Sequence, residues 1–299
     1  MIAELELRPY SPDDFERVVE LFNAVDMAAY GWSDVTREEL QQWFTSSRID
    51  LERDTRLVFD GERLVGYADV DTEDGGETWW NDLHLDPNLD TSTLAAQLVQ
   101  WTEERCERGI IRTWAPSTLG LYRTTYEANG YRRVRASYRM RIELADAPVE
   151  RSVVGIDITP MHAGEEHEVY EVHQETFEDS WEHTREPYDE WKHYLTDIPS
   201  FDPTLWFVAR DGDEIAGVCL GQDRAGTGFV RVLGVRRAWR RRGVGMALLT
   251  HAFAEFARRG YSHLDLGVDA ESLTGANHLY EAAGMRVARQ IDIFEKELT

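Results

Sequence analysis

Cysteine is scarce in this sequence. Only Cys106 and Cys219 occur among the 299 residues, one in each half, and no CxxC pair is present. Two isolated cysteines predict reduced structural thiols rather than a disulfide framework, and the histidines lack the tight spacing of metal ligands. We therefore expect neither a disulfide nor a bound metal.

Long apolar runs are also missing. No stretch reaches the roughly 18 uncharged apolar residues that a membrane span needs, and residues 1–10 lack the basic start and apolar middle of a signal peptide. We therefore expect a cytoplasmic protein. The 42% hydrophobic content and 10 tryptophans predict a folded chain, and the length suits two domains of about 150 residues each.

Lysine is almost absent, with 2 residues against 30 arginines, and the formal net charge is −24. Such a surface repels nucleic acids and anionic membranes, so we expect neither as a partner. The oligomeric state is left open by the sequence. The local exception to the acidic charge is a cluster of five arginines, namely Arg236, Arg237, Arg240, Arg241 and Arg242.

This arginine cluster lies in a turn between a β-branched run and an amphipathic stretch that begins near Gly245. Apolar residues recur in that stretch at steps of three and four, which predicts a helix packed on a sheet. The free N–H groups and positive dipole of a helix N-terminus attract anions, and Gly243 and Gly245 allow a phosphate to approach the backbone. The sequence therefore predicts a polyphosphate site.

The chain also repeats itself. Asp60-Gly61 matches Asp211-Gly212 and Gly109 matches Gly260 at an offset of 151, while YEANGY at Tyr126 matches YEAAGM at Tyr280 at an offset of 154. Agreement in order and spacing favours a duplicated domain over chance. We predict a first domain over residues 1–144, a linker over 145–155 and a second domain over 156–299.

The segment RRRGVG at 240–245 follows a strand, VLGV, and is followed by LYEAAGM at 279–285. In this order the motifs resemble the acetyl-CoA signature of the GNAT superfamily of N-acetyltransferases, here of a tandem-domain type. The resemblance implies an α/β (α+β) fold in which each domain has a mixed, mostly antiparallel sheet flanked by helices. It also implies an acyltransferase that moves an acetyl group from acetyl-CoA, as co-substrate, to a primary amine of a small molecule.

The resemblance assigns roles to particular residues. Tyr280 would donate a proton or a hydrogen bond to the leaving thiolate, although helical periodicity alone favours a core aromatic. Backbone amides of the arginine turn would hold the pyrophosphate, and the preceding strand end would pair with the pantetheine arm and polarise the acetyl carbonyl. The implied coenzyme A contacts are Leu233, Gly234, Val235, Arg240, Arg241, Arg242, Gly243, Val244, Gly245, Met246, Ala247 and, in place of an asparagine found earlier in many relatives, Asn277.

A general base is not evident from the motif. Some relatives carry a Glu on the strand before the loop, whereas this chain has Phe229, Val230, Arg231 and Val232 there, and arginine cannot act as a base at neutral pH. The remaining candidates are Asp265, Asp269 and the acidic, histidine-rich segment 162–194.

In the family, the segment equivalent to 162–194 forms helices over the acceptor site. Carboxylates there would suit a cationic amine, and aromatic side chains would line its apolar part. The alternative is a solvated pair of acidic helices. The acceptor-site candidates are Glu175, Glu178, Asp179 and Asp269.

The first copy lacks the phosphate-binding pattern. Its corresponding turn, residues 89–94, contains neither glycine nor arginine, so we expect a degenerate domain in which Tyr126 is structural. Two other functions stay open: a non-catalytic acyl-CoA-binding or interaction protein, and an acetyltransferase that acts on a protein amine.

Overall fold

The computed structural model describes residues 5–72, 75–181, 183–272 and 275–298. The chain divides into two compact units, the first formed by residues 1–136 with 290–299 and the second by residues 137–289. Each unit is a mixed sheet that carries helices, which confirms the predicted fold class. No helix within the described ranges has the length and apolarity that a membrane crossing requires.

The first unit contains a sheet with the strand order β1-β2-β3-β4-β5-β12, in which β4 and β5 run parallel and the other neighbours are antiparallel. The predicted hairpin at Asp60-Gly61 joins β2 to β3. The elements are β1 (Glu6–Arg8), α1 (Phe15–Tyr30), α2 (Arg37–Thr45), β2 (Thr55–Asp60), β3 (Arg63–Thr72), β4 (Thr78–Leu85), α3 (Ser92–Cys106), β5 (Gly109–Pro116), α4 (Gly120–Ala128) and the C-terminal strand β12 (Arg286–Leu298).

The second unit contains a sheet with the order β6-β11-β10-β9-β8-β7, in which β10 and β11 run parallel. The parallel pair thus has the same place in both copies. The elements are β6 (Arg132–Glu143), β7 (Asp157–Pro160), α5 (Glu166–Phe177), α6 (Tyr188–Leu195), β8 (Trp206–Asp211), β9 (Glu214–Arg224), β10 (Thr227–Val235), α7 (Val244–Arg258), β11 (His263–Asp269) and α8 (Ala276–Ala282).

The last strand of each sequence repeat belongs to the sheet of the other unit. Residues 137–143 of β6 pair with β11, and residues 291–298 of β12 pair with β5. The boundaries of the compact units therefore differ from the predicted domain bounds at 144 and 156. The prediction assigns β6 to the first domain and β12 to the second, whereas most of each strand lies in the other unit. Alternating apolar residues define a strand but not which neighbour it pairs with.

Helix α7 is the principal helix of the second core. Leu249, Phe253 and Phe256 are fully buried against the sheet, as the helical spacing predicted, whereas Met246 is only partly buried. The Phe256 ring touches strand backbone directly, since a Cβ added at Gly228 or Gly221 would lie 2.7 or 2.9 Å from it. Glycines in the strands therefore set the distance between helix and sheet.

We expect Phe256→Ala to lower the free energy of unfolding by about 3–5 kcal/mol, because the strand glycines offer no side chain that could fill the cavity. Urea unfolding followed by far-UV circular dichroism measures the change. Val287→Ala is the control, as Val287 is 48% exposed, and its effect should be small. A cost below 1 kcal/mol for Phe256→Ala would contradict this packing.

Candidate active site

Strand β10 separates from β11 halfway along its length. Their parallel pairing runs from Gly228 opposite Leu264 to Val230 opposite Leu266, and a bulge interrupts β10 between Val230 and Val232. Beyond the bulge, β10 stays paired with β9 while β11 stays paired with β6. One edge of residues 232–235 is therefore without a strand partner among the described residues.

The backbone amide of Val235 points toward this open edge. The amide of Arg236 donates to the Ala216 carbonyl on β9 at 3.0 Å, so the preceding amide, that of Val235, points away from β9 by strand alternation. The strand end is held from one face by α5, because a Cβ at Gly234 would lie 2.2 Å from Thr176 Oγ1. An extended ligand could thus pair with Leu233, Gly234 and Val235 along a fixed edge.

Arg240 ties this strand end to α5. Its Nε donates to the Val235 carbonyl at 2.9 Å, its Nη2 to the Thr176 carbonyl at 3.3 Å, and its Nη1 to Asp179 Oδ2 at 2.7 Å. Hydrogen bonds from Arg237 and Arg240 lower the pKa of Asp179 to about 2. The Arg240 side chain therefore holds the backbone at the end of β10 in place against α5.

The predicted acceptor-site carboxylates at the C-terminal end of α5 and in the turn after it face the arginine turn. Glu175 lies 2.8 Å from Arg236 Nε, Asp179 lies 2.5 Å from Arg237 Nη2, and Glu178 lies 3.9 Å from the same Arg237 atom. Their negative charge compensates the arginines of the turn. This placement argues against their use in holding a cationic acceptor.

Arg241 and Arg242 remain directed to solvent. No partner for the Arg241 side chain occurs within the described part of the chain, and Arg242 lies 3.6 Å from Asp211. Arg241 and Gly243 both adopt left-handed backbone conformations, with φ of +62° and +87°. For a non-glycine residue this conformation costs roughly 1–3 kcal/mol and is often found at ligand sites.

The first turn of α7 presents backbone amides beside the arginine turn. Gly243 precedes the helix without a capping side chain, so the amides of Val244, Gly245 and Met246 have no acceptor within the helix. A Cβ at Gly245 would lie 3.3 Å from Leu279 and 3.6 Å from Val235. The absence of a side chain there lets the helix N-terminus approach the strand end.

Tyr280 extends from α8 into the second core and is 7% exposed. Burial, and secondarily the neighbouring Cys219 thiol, raises the pKa of Tyr280 above its usual range. Its hydroxyl has no hydrogen-bond partner among the residues described. A neutral, buried phenol with an unused donor suits hydrogen bonding to a sulfur leaving group.

In the first unit the hydroxyl of the equivalent tyrosine, Tyr126, has a hydrogen-bond partner within the same unit. Thr113 Oγ1 donates to the Tyr126 hydroxyl at 2.8 Å. Thr113 pairs with Asn81 in the first unit, and Leu266 pairs with Val230 in the second, so Leu266 is the counterpart of Thr113 once the bulge in β10 is counted. Leu266 is buried in the same core cluster as Tyr280, and its side chain cannot form a hydrogen bond. The second unit therefore lacks the side chain that occupies the hydroxyl in the first, which supports the predicted structural role of Tyr126.

A second tyrosine closes the strand edge in the first unit. The Tyr122 hydroxyl accepts a hydrogen bond from the Leu85 amide at 3.1 Å, and matching strand registers make Val235 the counterpart of Leu85. At the offset of 154, Ala276 replaces Tyr122. Sequence reasoning missed this difference, although tyrosines four residues apart in only one copy were a visible signal.

Asn277 supports the turn that follows β11. Its Nδ2 donates to the carbonyls of Asp269 and Ala270 at 3.0 and 2.9 Å, while Asp269 Oδ1 accepts from the Glu271 amide at 2.9 Å. Oδ1 of Asn277 is buried without a partner in the described structure. The coenzyme contact of Asn277 stays a prediction, as does the acceptor role of Asp269.

The candidate bases are less available than the sequence suggested. Asp265 is 1% exposed and accepts two hydrogen bonds of 2.7 Å from Arg141. His173 Nδ1 accepts from Trp191 Nε1 at 2.8 Å, which leaves its proton on Nε2. Burial, then the charges of His183 and Arg231, lower the pKa of His173 to about 4. His173 is therefore a neutral donor.

Comparisons with known proteins agree with this geometry. Residues 166–285 match the family described as Acetyltransferase (GNAT) family. The chain is 26% identical over 295 residues to a mycothiol acetyltransferase of Thermobispora bispora, covering 95% of this chain and 96% of the relative.

Two solved structures are similar over almost the whole chain. A GCN5-related N-acetyltransferase from Sphaerobacter thermophilus is 29% identical with a TM-score of 0.82, covering 98% of this chain and 96% of that one. A tandem GNAT protein from the clavulanic acid biosynthesis pathway has a TM-score of 0.74 over 99% of both chains at 14% identity, which supports the fold alone.

The fold and the matches together define an acyltransferase with two tandem copies of one domain. Residues 166–285 match the GNAT acetyltransferase family, which confirms the family predicted from RRRGVG and LYEAAGM. No group of His, Cys, Asp and Glu side chains suited to a metal ion occurs in the described ranges.

The shifted pKa of His173 predicts a pH-dependent stability. Its folded-state value of about 4 lies below the reference 6.5, so between these values the unfolded chain binds a proton that the folded chain does not. The contribution of neutral His173 to the free energy of unfolding is fully present above pH 6.5. It is lost as the pH falls toward 4, and the loss amounts to up to about 3 kcal/mol. Urea unfolding at several pH values, compared with His173→Gln, measures this contribution.

The glutamine oxygen can still accept from Trp191, so His173→Gln should fold and show a weaker decline over this pH window. His278→Gln is the control, because the His278 side chain is 91% exposed. Equal pH dependence in His173→Gln and the unmodified protein would contradict the assignment.

Proposed function

We propose that the second unit binds acetyl-CoA and transfers its acetyl group to a primary amine of a small molecule. The observation that carries this proposal is the open edge of β10 beside the N-terminus of α7 and the helix that carries Tyr280. The same edge is blocked by Tyr122 in the first unit. The contrast supports a single active copy.

The residues of the turn fit a pyrophosphate. Amides from residues 241–247 and the exposed guanidinium groups of Arg241 and Arg242 would hold its oxygens. The edge formed by Leu233, Gly234 and Val235 would pair with the extended pantetheine arm. Arg240 would act indirectly, by fixing the carbonyl of Val235.

The chain's own groups would then assist the transfer in two places. A backbone amide of the strand edge would donate to the acetyl oxygen as negative charge develops there. Tyr280 would donate to the sulfur. A thiol has a reference pKa of about 8.5, and the pKa of Tyr280 is raised, so full proton transfer is uphill and hydrogen bonding is the main contribution.

The acceptor must reach the site as a neutral amine. Asp265 is engaged by Arg141, and His173 already carries its proton on Nε2, so we assign proton removal to water. The T. bispora relative is named for mycothiol acetylation, which supports a small-molecule acceptor. The layout distantly resembles mycothiol synthase, but the missing strand glutamate sets this chain apart.

Tyr280→Phe should lower kcat for acetyl transfer by roughly 100-fold, with little change in the KM for acetyl-CoA, because the lost donor acts on the departing sulfur. Release of the free thiol with a panel of amines measures the rate. Tyr126→Phe is the matched control and should retain activity. Binding of acetyl-CoA with no turnover on any amine, and no effect of Tyr280→Phe, would favour a non-catalytic acyl-CoA-binding protein.

Ala276→Tyr should reproduce the closed edge of the first unit and weaken acetyl-CoA binding at least tenfold, since the new hydroxyl would compete for the Val235 amide. Isothermal titration calorimetry measures the affinity. Ala276→Ser adds a hydroxyl too short to reach the strand and is the control. Unchanged affinity in Ala276→Tyr would place the ligand elsewhere.

A further inference from the structure

The face of the first sheet that carries α1 and α2 contains ionisable side chains where the second copy is apolar. The strand pairs β3–β4 and β9–β10 share one register, because Gly66 opposite Leu85 corresponds to Gly217 opposite Val235. Counted back from these pairs, the residues Tyr67, Asp69, Asp82 and His84 correspond to Val218, Leu220, Val232 and Gly234. The three apolar counterparts belong to the core under α5 and α6. The fold therefore does not require charged groups at these positions.

Asp69 is buried on this face and is held by uncharged donors. It is 2% exposed, and its Oδ2 accepts from the Tyr67 hydroxyl at 2.6 Å and from Trp43 Nε1 at 2.7 Å. Its Oδ1 accepts from the backbone amide of Asp82 at 3.1 Å. Burial, and then the charge of Asp82, raises the pKa of Asp69 well above its usual range. The two acids oppose each other's ionisation, and a cation beside them would reduce that cost.

Asp82 is the accessible member of this pair. Its side chain is 44% exposed, and within the described ranges the cationic group that comes within 4 Å of it is His84 Nε2, at 3.9 Å. Asp71, the third acid on this face, differs because Arg48 pairs with it. The His84 ring is stacked on Phe22 with 3.5 Å between centroids, and its Nδ1 is buried without a partner in the described structure. Asp82 thus presents a charge at the surface that no arginine or lysine of the described chain balances.

Two stacked tryptophans adjoin Asp82. Trp80 precedes Asp82 by two residues on β4, so both side chains lie on one face. The register of β4 with β5, continued by one residue pair, places Trp114 next to Asp82. The two indole rings are stacked with 4.7 Å between centroids, and both residues are half-buried. Arg112 lies near the Trp80 ring but pairs with Glu295 at 3.0 Å. A carboxylate beside an aromatic surface suits an organic cation.

We propose that the first unit binds an organic ammonium ion at Asp82, with the apolar part of the ligand against Trp80 and Trp114. The carboxylate supplies the opposite charge, and the indole rings attract a cation through their π-systems. No group of three or more His, Cys, Asp and Glu side chains suited to a metal ion occurs in the described ranges, which favours an organic cation over a metal. A carboxylate keeps a bound amine protonated and therefore unreactive. This site binds its ligand without acetylating it.

Phenethyltrimethylammonium is the first probe, because its quaternary nitrogen can neither lose a proton nor accept an acetyl group. Its binding is therefore independent of the transferase function proposed for the second unit. Phenethylamine, protonated at neutral pH, is the second cationic probe, and 2-phenylethanol is the uncharged analogue. Isothermal titration calorimetry on the whole protein without acetyl-CoA compares the three. We expect both cations to bind about tenfold or more tightly than the alcohol, since only they interact with the carboxylate.

Asp82→Asn should weaken binding of both cations about tenfold or more and leave the alcohol within about twofold. The variant should fold, because Asp82 contacts Asp69 through its backbone amide. Glu127→Gln is the matched control, since it removes an exposed carboxylate from α4, whose Tyr126 packs on the other face of the sheet through Thr113. Trp114→Leu should weaken the cations roughly fivefold through loss of the aromatic face. Thermal unfolding confirms that each variant is folded.

Three results would overturn the proposal: no binding of either cation, equal affinity for the cations and the alcohol, or equal effects of Asp82→Asn and Glu127→Gln. Cation binding that survives Asp82→Asn would place the site elsewhere and refute the role of this carboxylate. Cation binding that is lost in Asp82→Asn supports the proposal even if no amine is acetylated in the presence of acetyl-CoA. That last result would refute only the transferase function of the second unit.

Discussion

The site depends on how a strand edge is held open. Once β10 leaves β11 at Val230, ordinary ladder bonds no longer fix its second edge. Arg240 takes over part of that role, because one guanidinium connects the Val235 carbonyl to Thr176 and Asp179. Gly234 then allows α5 to rest directly on the strand. An exposed strand edge normally pairs readily with another strand. Here the edge is short and flanked by a helix, so only a narrow ligand could pair with it.

The two copies show that fold and site can be separated. Both copies contain the parallel pair, a bulge in the first hairpin (β2–β3 and β8–β9) and a buried tyrosine on the helix after the parallel pair. Only the second copy has an open edge. In the first unit Tyr122 bonds to Leu85 and Thr113 bonds to Tyr126. Ala276 and Leu266 stand at the corresponding places in the second unit and cannot form these side-chain hydrogen bonds. Two apolar side chains in place of polar ones, together with the bulge in β10, therefore distinguish a candidate active site from a scaffold.

Local patterns in the sequence were sufficient to predict the helices, the hairpin turns and the family, because periodicity and glycine placement act over a few residues. The burial of Tyr280 followed from the same periodicity. The partners of the arginines could not be predicted, since Arg240 contacts Asp179, which follows α5 and lies 61 residues earlier in the chain. The exchange of β6 and β12 was equally hidden, because alternation specifies a face and not a neighbour. Side-chain pairing between distant elements is the part of the site that only the fold determines.

These pairings also change how the charge of the molecule is understood. The five arginines of the turn looked equivalent in the sequence, but Arg236, Arg237 and Arg240 pair with Glu175 on α5 and Asp179 just after it, while Arg241 and Arg242 face solvent. These carboxylates therefore stabilise the turn, and they are not free to attract a cation on the acceptor side.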